Sequence, residues 1–74
     1  MQWSDVPPGT QCWLIARERT AQAGGQLAVR PLPIGWLIRS VPGSGYPRWV
    51  WGLTEASVYR RLAAAATPRL CAWS

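Results

Sequence analysis

The stretch Gln11-Cys-Trp-Leu-Ile-Ala-Arg-Glu-Arg19 decides how the chain is read. It opens on aromatic and β-branched residues, closes on charge, and holds no glycine or proline, which is the pattern of a β-strand. Strand alternation places Cys12, Leu14 and Ala16 on one face and Trp13, Ile15, Arg17 and Arg19 on the other. The small and aliphatic face is the expected core. Trp13, Arg17 and Arg19 are then expected outside it.

Upstream, Val6-Pro-Pro-Gly-Thr10 predicts an extended segment over residues 1–10. Downstream, Gly24-Gly25 reads as a hairpin turn into a second strand over Gln26–Arg30. Pro31 and Pro33 cannot donate to a ladder, so they confine this strand to an edge or a bend. A third strand is expected over Ile34–Val41, with Leu37, Arg39 and Val41 on one face. Pro42-Gly-Ser-Gly-Tyr-Pro47 predicts an exposed loop. The fourth strand, Arg48–Leu53, carries Trp49, Trp51 and Leu53 on one face.

Beyond it the pattern changes. Thr54 can cap a helix of about residues 54–67, with Glu55 favourable to the dipole and Pro68 blocking its continuation. Val58, Leu62 and Ala65 or Ala66 form its apolar stripe, and Arg60 and Arg61 lie off it. Arg69–Ser74 leaves room for a fifth strand. The fold class is therefore α+β, a small antiparallel sheet of four strands (five with the last segment) and one C-terminal helix packed on it, within a single domain of residues 1–74. An SH3-like barrel, with the helix inserted before strand five, is the alternative.

Histidine is absent from the 74 residues, and Asp5, Glu18 and Glu55 are the only acidic side chains. Most acid–base and metal chemistry lacks its residues, so neither an enzyme nor a cofactor or metal site is expected. Cys12 and Cys71 lack metal or redox spacing and read as buried thiols, with a disulfide as the alternative. No stretch has the pattern of a secretory signal or the length of a membrane span. The expected compartment is cytoplasmic, with no membrane partner.

The formal charge is +5, and all eight cations are arginines. Six tryptophans, at 3, 13, 36, 49, 51 and 73, exceed what a thin core can enclose. Some indoles are expected at the surface, where Trp and Arg together mark binding hot spots. The candidate partner-binding residues are Arg48, Trp49, Trp51, Trp13, Arg17, Arg19 and Arg39. Their expected partner is a host protein or nucleoprotein complex. Direct contact with nucleic acid and self-association as a homodimer both stay open. Tyr46 and Tyr59 read as a loop anchor and helix packing.

The segment Gly52-Leu-Thr-Glu-Ala-Ser-Val-Tyr-Arg-Arg-Leu62 resembles the turn and recognition helix of helix-turn-helix DNA-binding proteins. That resemblance implies that Ser57, Tyr59, Arg60 and Arg61 face a major groove while Val58 and Leu62 pack inward. An amphipathic covering helix accounts for the same residues. The family's supporting helix would precede the turn, where this chain has Pro42, Gly43, Gly45 and Pro47.

In size and economy the chain resembles the small accessory proteins of phages and mobile elements, anti-CRISPR and other anti-defence inhibitors among them. The expected function is that of a small non-enzymatic binding protein that occludes a macromolecular surface. The alternative is a basic nucleic-acid-binding regulator using the Arg/Trp sheet face or the 54–67 helix.

Overall fold

Residues 11–19 are helical. In the computed structural model, which describes residues 2–66 and residue 70, helix α1 spans Pro8–Gln22. Pro8 sits in its first turn, where a missing N–H costs nothing. Among the described residues a short 3-10 turn at Trp3–Asp5 precedes it, where the sequence predicts an extended segment. The Gln11 side-chain amide donates to the Trp3 and Val6 carbonyls at 2.9 and 3.0 Å, tying that turn to the helix.

Cys12, Trp13, Ile15, Ala16 and Thr20 are buried and Leu14 only partly so, a helical period and not an alternating one. Gly24 and Gly25 end the helix instead of turning a hairpin. Gly24 has φ +84°, and the Gly24 and Gly25 N–H groups bond back to the Ala21 and Thr20 carbonyls at 3.1 and 2.9 Å, a Schellman cap.

Three short strands follow: β1 (Ala28–Pro31), β2 (Trp36–Arg39) and β3 (Trp49–Gly52). They form one antiparallel sheet in the order β1-β2-β3. The expected strand at 26–30 is shifted to Ala28–Pro31, taking in Pro31 as its last, edge residue, and those at 34–41 and 48–53 exist in shortened form. The one at 11–19 does not, and among the described residues the sheet has three strands with two open edges, so it closes no barrel. A fifth strand at 69–74 and the stop at Pro68 fall outside the described residues, apart from Leu70.

Helix α2 spans Glu55–Ala65. Thr54 is its N-cap: its side chain accepts from the Ser57 N–H at 3.1 Å, and Ser57 Oγ accepts from the Thr54 N–H at 3.0 Å. At the other end the Ala66 N–H still bonds to the Leu62 carbonyl.

α2 packs on β3 and β2 with one side and on α1 with the other. Ile38, Val58 and Leu62 are wholly buried where helix meets sheet, each removal from water stabilising the fold by about 1.5–3 kcal/mol. On the far side Trp13 stacks on Tyr59, ring centroids 5.5 Å apart. Tyr46, in the β2–β3 loop, is buried and donates its hydroxyl to the Leu70 carbonyl at 2.8 Å.

Cys12 is disulfide-bonded, which corrects its reading as a thiol. The chain's other cysteine, Cys71, lies outside the described residues. No described helix is long and apolar enough to cross a membrane.

Close approach fixes the residue where β3 hands over to α2. A Cβ on Gly52 would stand 2.5 Å from the Val58 nitrogen and 2.7 Å from its Cα, atoms of backbone that cannot swing aside. Gly52→Ala is therefore expected to lower unfolding free energy by about 2–3 kcal/mol in a denaturant titration. Leu53→Ala, one residue on and 65% exposed, should change it by no more than about 0.5 kcal/mol.

Candidate functional site

Register places the sheet's side chains. Val29, Ile38 and Val50 stand opposite one another on the face that packs into the core. By alternation the residues between them share the other face, Ala28 and Arg30 from β1, Leu37 and Arg39 from β2, Trp49 and Trp51 from β3. Arg30, Arg39 and Trp49 are exposed, while Leu37 and Trp51 are half-buried. α2 packs its buried residues on the inner face, and the outer one carries a row of guanidinium and indole groups.

At one end Arg39, Ser40, Pro42, Arg48 and Trp49 line a cleft of about 300 Å³. Ser40 shapes it, its N–H donating to the Arg48 carbonyl at 3.0 Å and its hydroxyl donating to the Pro47 carbonyl. Trp49, 65% exposed, forms an aromatic wall. None of Arg30, Arg39 and Arg48 is ion-paired among the described residues. Asp5 lies in the 3-10 turn, Glu18 on α1 and Glu55 on α2, so no carboxylate side chain stands on the sheet. Two unneutralised guanidinium groups beside an indole suit an anionic group attached to something flat or apolar.

Trp51 is held more firmly. Its indole N–H donates to the Ile34 carbonyl at 3.2 Å, its ring lies against Gly35, and the Arg61 guanidinium carbon is 5.9 Å from its centroid. It is a fixed part of the outer face, outside the lining of the cleft.

Of the residues expected to bind, Arg39, Arg48 and Trp49 line the cleft together, Arg48 from the Val50 side of β3, and Trp51 lies on the Trp49 side of the strand, on the outer face. Trp13, Arg17 and Arg19 do not join them, because their segment is helix α1, which packs on α2. Trp13 is 5% exposed in the core. Arg17 is exposed on the helix, and Arg19 donates to the Leu70 carbonyl at 2.9 Å. Arg30 was not among the expected residues; the alternation Val29-Arg30 was its signal, but its facing followed only from the ladder.

The helix-turn-helix resemblance divides similarly. Val58 and Leu62 pack inward, and Arg60 and Arg61 are exposed, lining with Ser57 and Ala64 a groove of about 380 Å³. Ser57 spends its hydroxyl on the cap, donating also to the Thr54 carbonyl at 2.9 Å. Tyr59 is buried rather than groove-facing, and the element ahead of the turn is strand β3, not a supporting helix.

No protein-family model, curated protein or solved structure matches the chain.

Burial pushes the Tyr59 phenol up from 10.0 to about 12; its hydrogen bond to Glu55 and that carboxylate's charge add to the rise, and Arg17 opposes it. The folded state thus keeps a proton that the unfolded chain releases near 10.0, so stability should be intact below pH 10.0 and fall as pH approaches 12. Tyr59→Phe should flatten that fall, measured by denaturant midpoints across the range. An unchanged slope would mean that the phenol does not titrate as its surroundings require.

Proposed function

We propose that the chain is a small non-enzymatic binding protein that acts by covering a macromolecular surface with the outer face of its sheet and the cleft at the end of that face. Arg39, Arg48 and Trp49, which line the cleft, make the principal contacts, and Trp51 and Arg30 extend the surface along the outer face. The observation carrying this reading is the pairing of an exposed indole with arginines that have no carboxylate side chain beside them in the sheet. Such a surface is completed by anions of a partner. A host protein or nucleoprotein complex fits that role, and an anti-defence inhibitor of phage or mobile-element type is the function class we favour. The same face could serve self-association, although two faces rich in arginine repel.

A nucleic-acid-binding regulator is the second reading, favoured by the groove of Ser57, Arg60, Arg61 and Ala64, which gives a second pair of exposed guanidinium groups. Base stacking on Trp49 with phosphates on Arg39 and Arg48 is its sheet-face form. The cytoplasm, expected for a host-directed inhibitor, draws no support from Cys12, since disulfides persist chiefly in oxidising compartments.

Gel shifts with single- and double-stranded probes separate the two readings. Direct binding through three arginines should weaken about 20-fold between ~50 and ~150 mM salt. The surface-covering reading expects no shift at the higher salt, and retention of a host complex by the immobilised chain that Arg48→Ala with Trp49→Ala reduces at least about tenfold. Retention unaffected by that pair would remove the sheet face from the mechanism.

A further inference from the structure

An antiparallel ladder alternates between residue pairs that exchange backbone hydrogen bonds and pairs that do not. The Ser40 N–H bonds to the Arg48 carbonyl at 3.0 Å. Continuing in register, Ile38 with Val50 and Trp36 with Gly52 are the bonded pairs between β2 and β3. The N–H and C=O groups of Trp49 and Trp51 therefore point away from β2, into the open edge of the sheet. Among the described residues no backbone group outside the ladder bonds to them.

The opposite edge differs. The Leu32 N–H bonds to the Gly35 carbonyl at 2.9 Å, so Arg30 with Leu37 and Ala28 with Arg39 are the bonded pairs between β1 and β2. Val29 and Pro31 then face outward, and Pro31 has no N–H to offer. Proline at such a position is a common device against unwanted strand pairing. β3 has no such protection: both its outward residues keep their donors, and the arginine cleft opens at its start.

We infer that the β3 edge is a strand-addition site for an extended acidic segment of a partner protein. This rests on the surface-covering reading above and gives it a mode. The incoming strand exchanges backbone hydrogen bonds with Trp49 and Trp51, its alternate side chains stand beside the two indoles, and a carboxylate enters the cleft between Arg39 and Arg48. Charge selects the occupant. A second copy of this chain would bring its own Arg48 and a charge of +5 to the same edge, whereas an acidic strand neutralises what is there.

The test uses the intact, isotope-labelled chain and a capped heptapeptide of alternating Val and Glu as probe. Comparison ligands are the same peptide N-methylated at alternate residues and a thymidine oligonucleotide. In the free chain the Trp49 and Trp51 amides should exchange rapidly while that of Ile38 is protected. Added peptide should slow both at least about tenfold, and N-methylation or Arg48→Glu should each weaken binding by a similar factor. The inference falls if the two amides are already protected in the free chain, if the N-methylated peptide binds equally, if no peptide binds, or if the oligonucleotide protects the same amides. Loss of target retention on Arg48→Ala with Trp49→Ala, without amide protection, would overturn the edge mode and leave the sheet-face reading standing.

Discussion

One helix can cover one face of a three-stranded sheet, and the rest of the molecule follows from that. α2 fills the inner side with Val58 and Leu62 against Ile38 and Val50, and its second side is capped by α1 through the Trp13–Tyr59 stack. The other sheet face carries no described helix, although the Arg61 side chain reaches it from α2, over Trp51. In a chain this small the apolar side chains that α1 and α2 bring are spent on a single core, so the outer face must remain tolerable in water. Exposed arginines among the indoles achieve this, because guanidinium groups stay hydrated where they interrupt the apolar surface. The same arrangement is adhesive toward anions.

The elements differ in how much of them could be read from residues. α2 was readable at both ends: Thr54 is a good cap, Val58 and Leu62 are four apart, and Arg60 and Arg61 fall on the wet side. α1 was not. Cys12 and Ala16 are also four apart, a separation that satisfies a strand face and a helix stripe equally; Trp13 and Ile15, buried where alternation would expose them, and the half-exposed Leu14 separate the two. Pro7-Pro8 and Gly24-Gly25 compound the ambiguity. Two prolines suit an extended entry or a helix start, and two glycines suit a hairpin or a Schellman cap. Tertiary packing onto α2 resolved what local preference left balanced.

The same distinction governs the candidate site. Arg39, Trp49 and Trp51 were legible as one-face residues because alternation within a strand is local. Their juxtaposition, and the addition of Arg30, depends on inter-strand register, which nothing in the residues declares. A strand period puts Trp13, Arg17 and Arg19 on one outer face; in the helix Trp13 is core, while Arg17 stays exposed away from the sheet. The surplus of tryptophan has a divided explanation: Trp13 is core, Trp36 and Trp51 are half-buried, and Trp3 and Trp49 stand in solvent.

One-sided burial is tested most directly by radical footprinting of the intact, oxidised chain, with modification at each indole read by mass spectrometry. Covering by α2 and α1 predicts that Trp49 reacts well ahead of Trp51, and that Trp13 stays protected until the protein unfolds. Equal reactivity of Trp13 and Trp49 under native conditions would contradict it, since the helix pair could not then be packed as described.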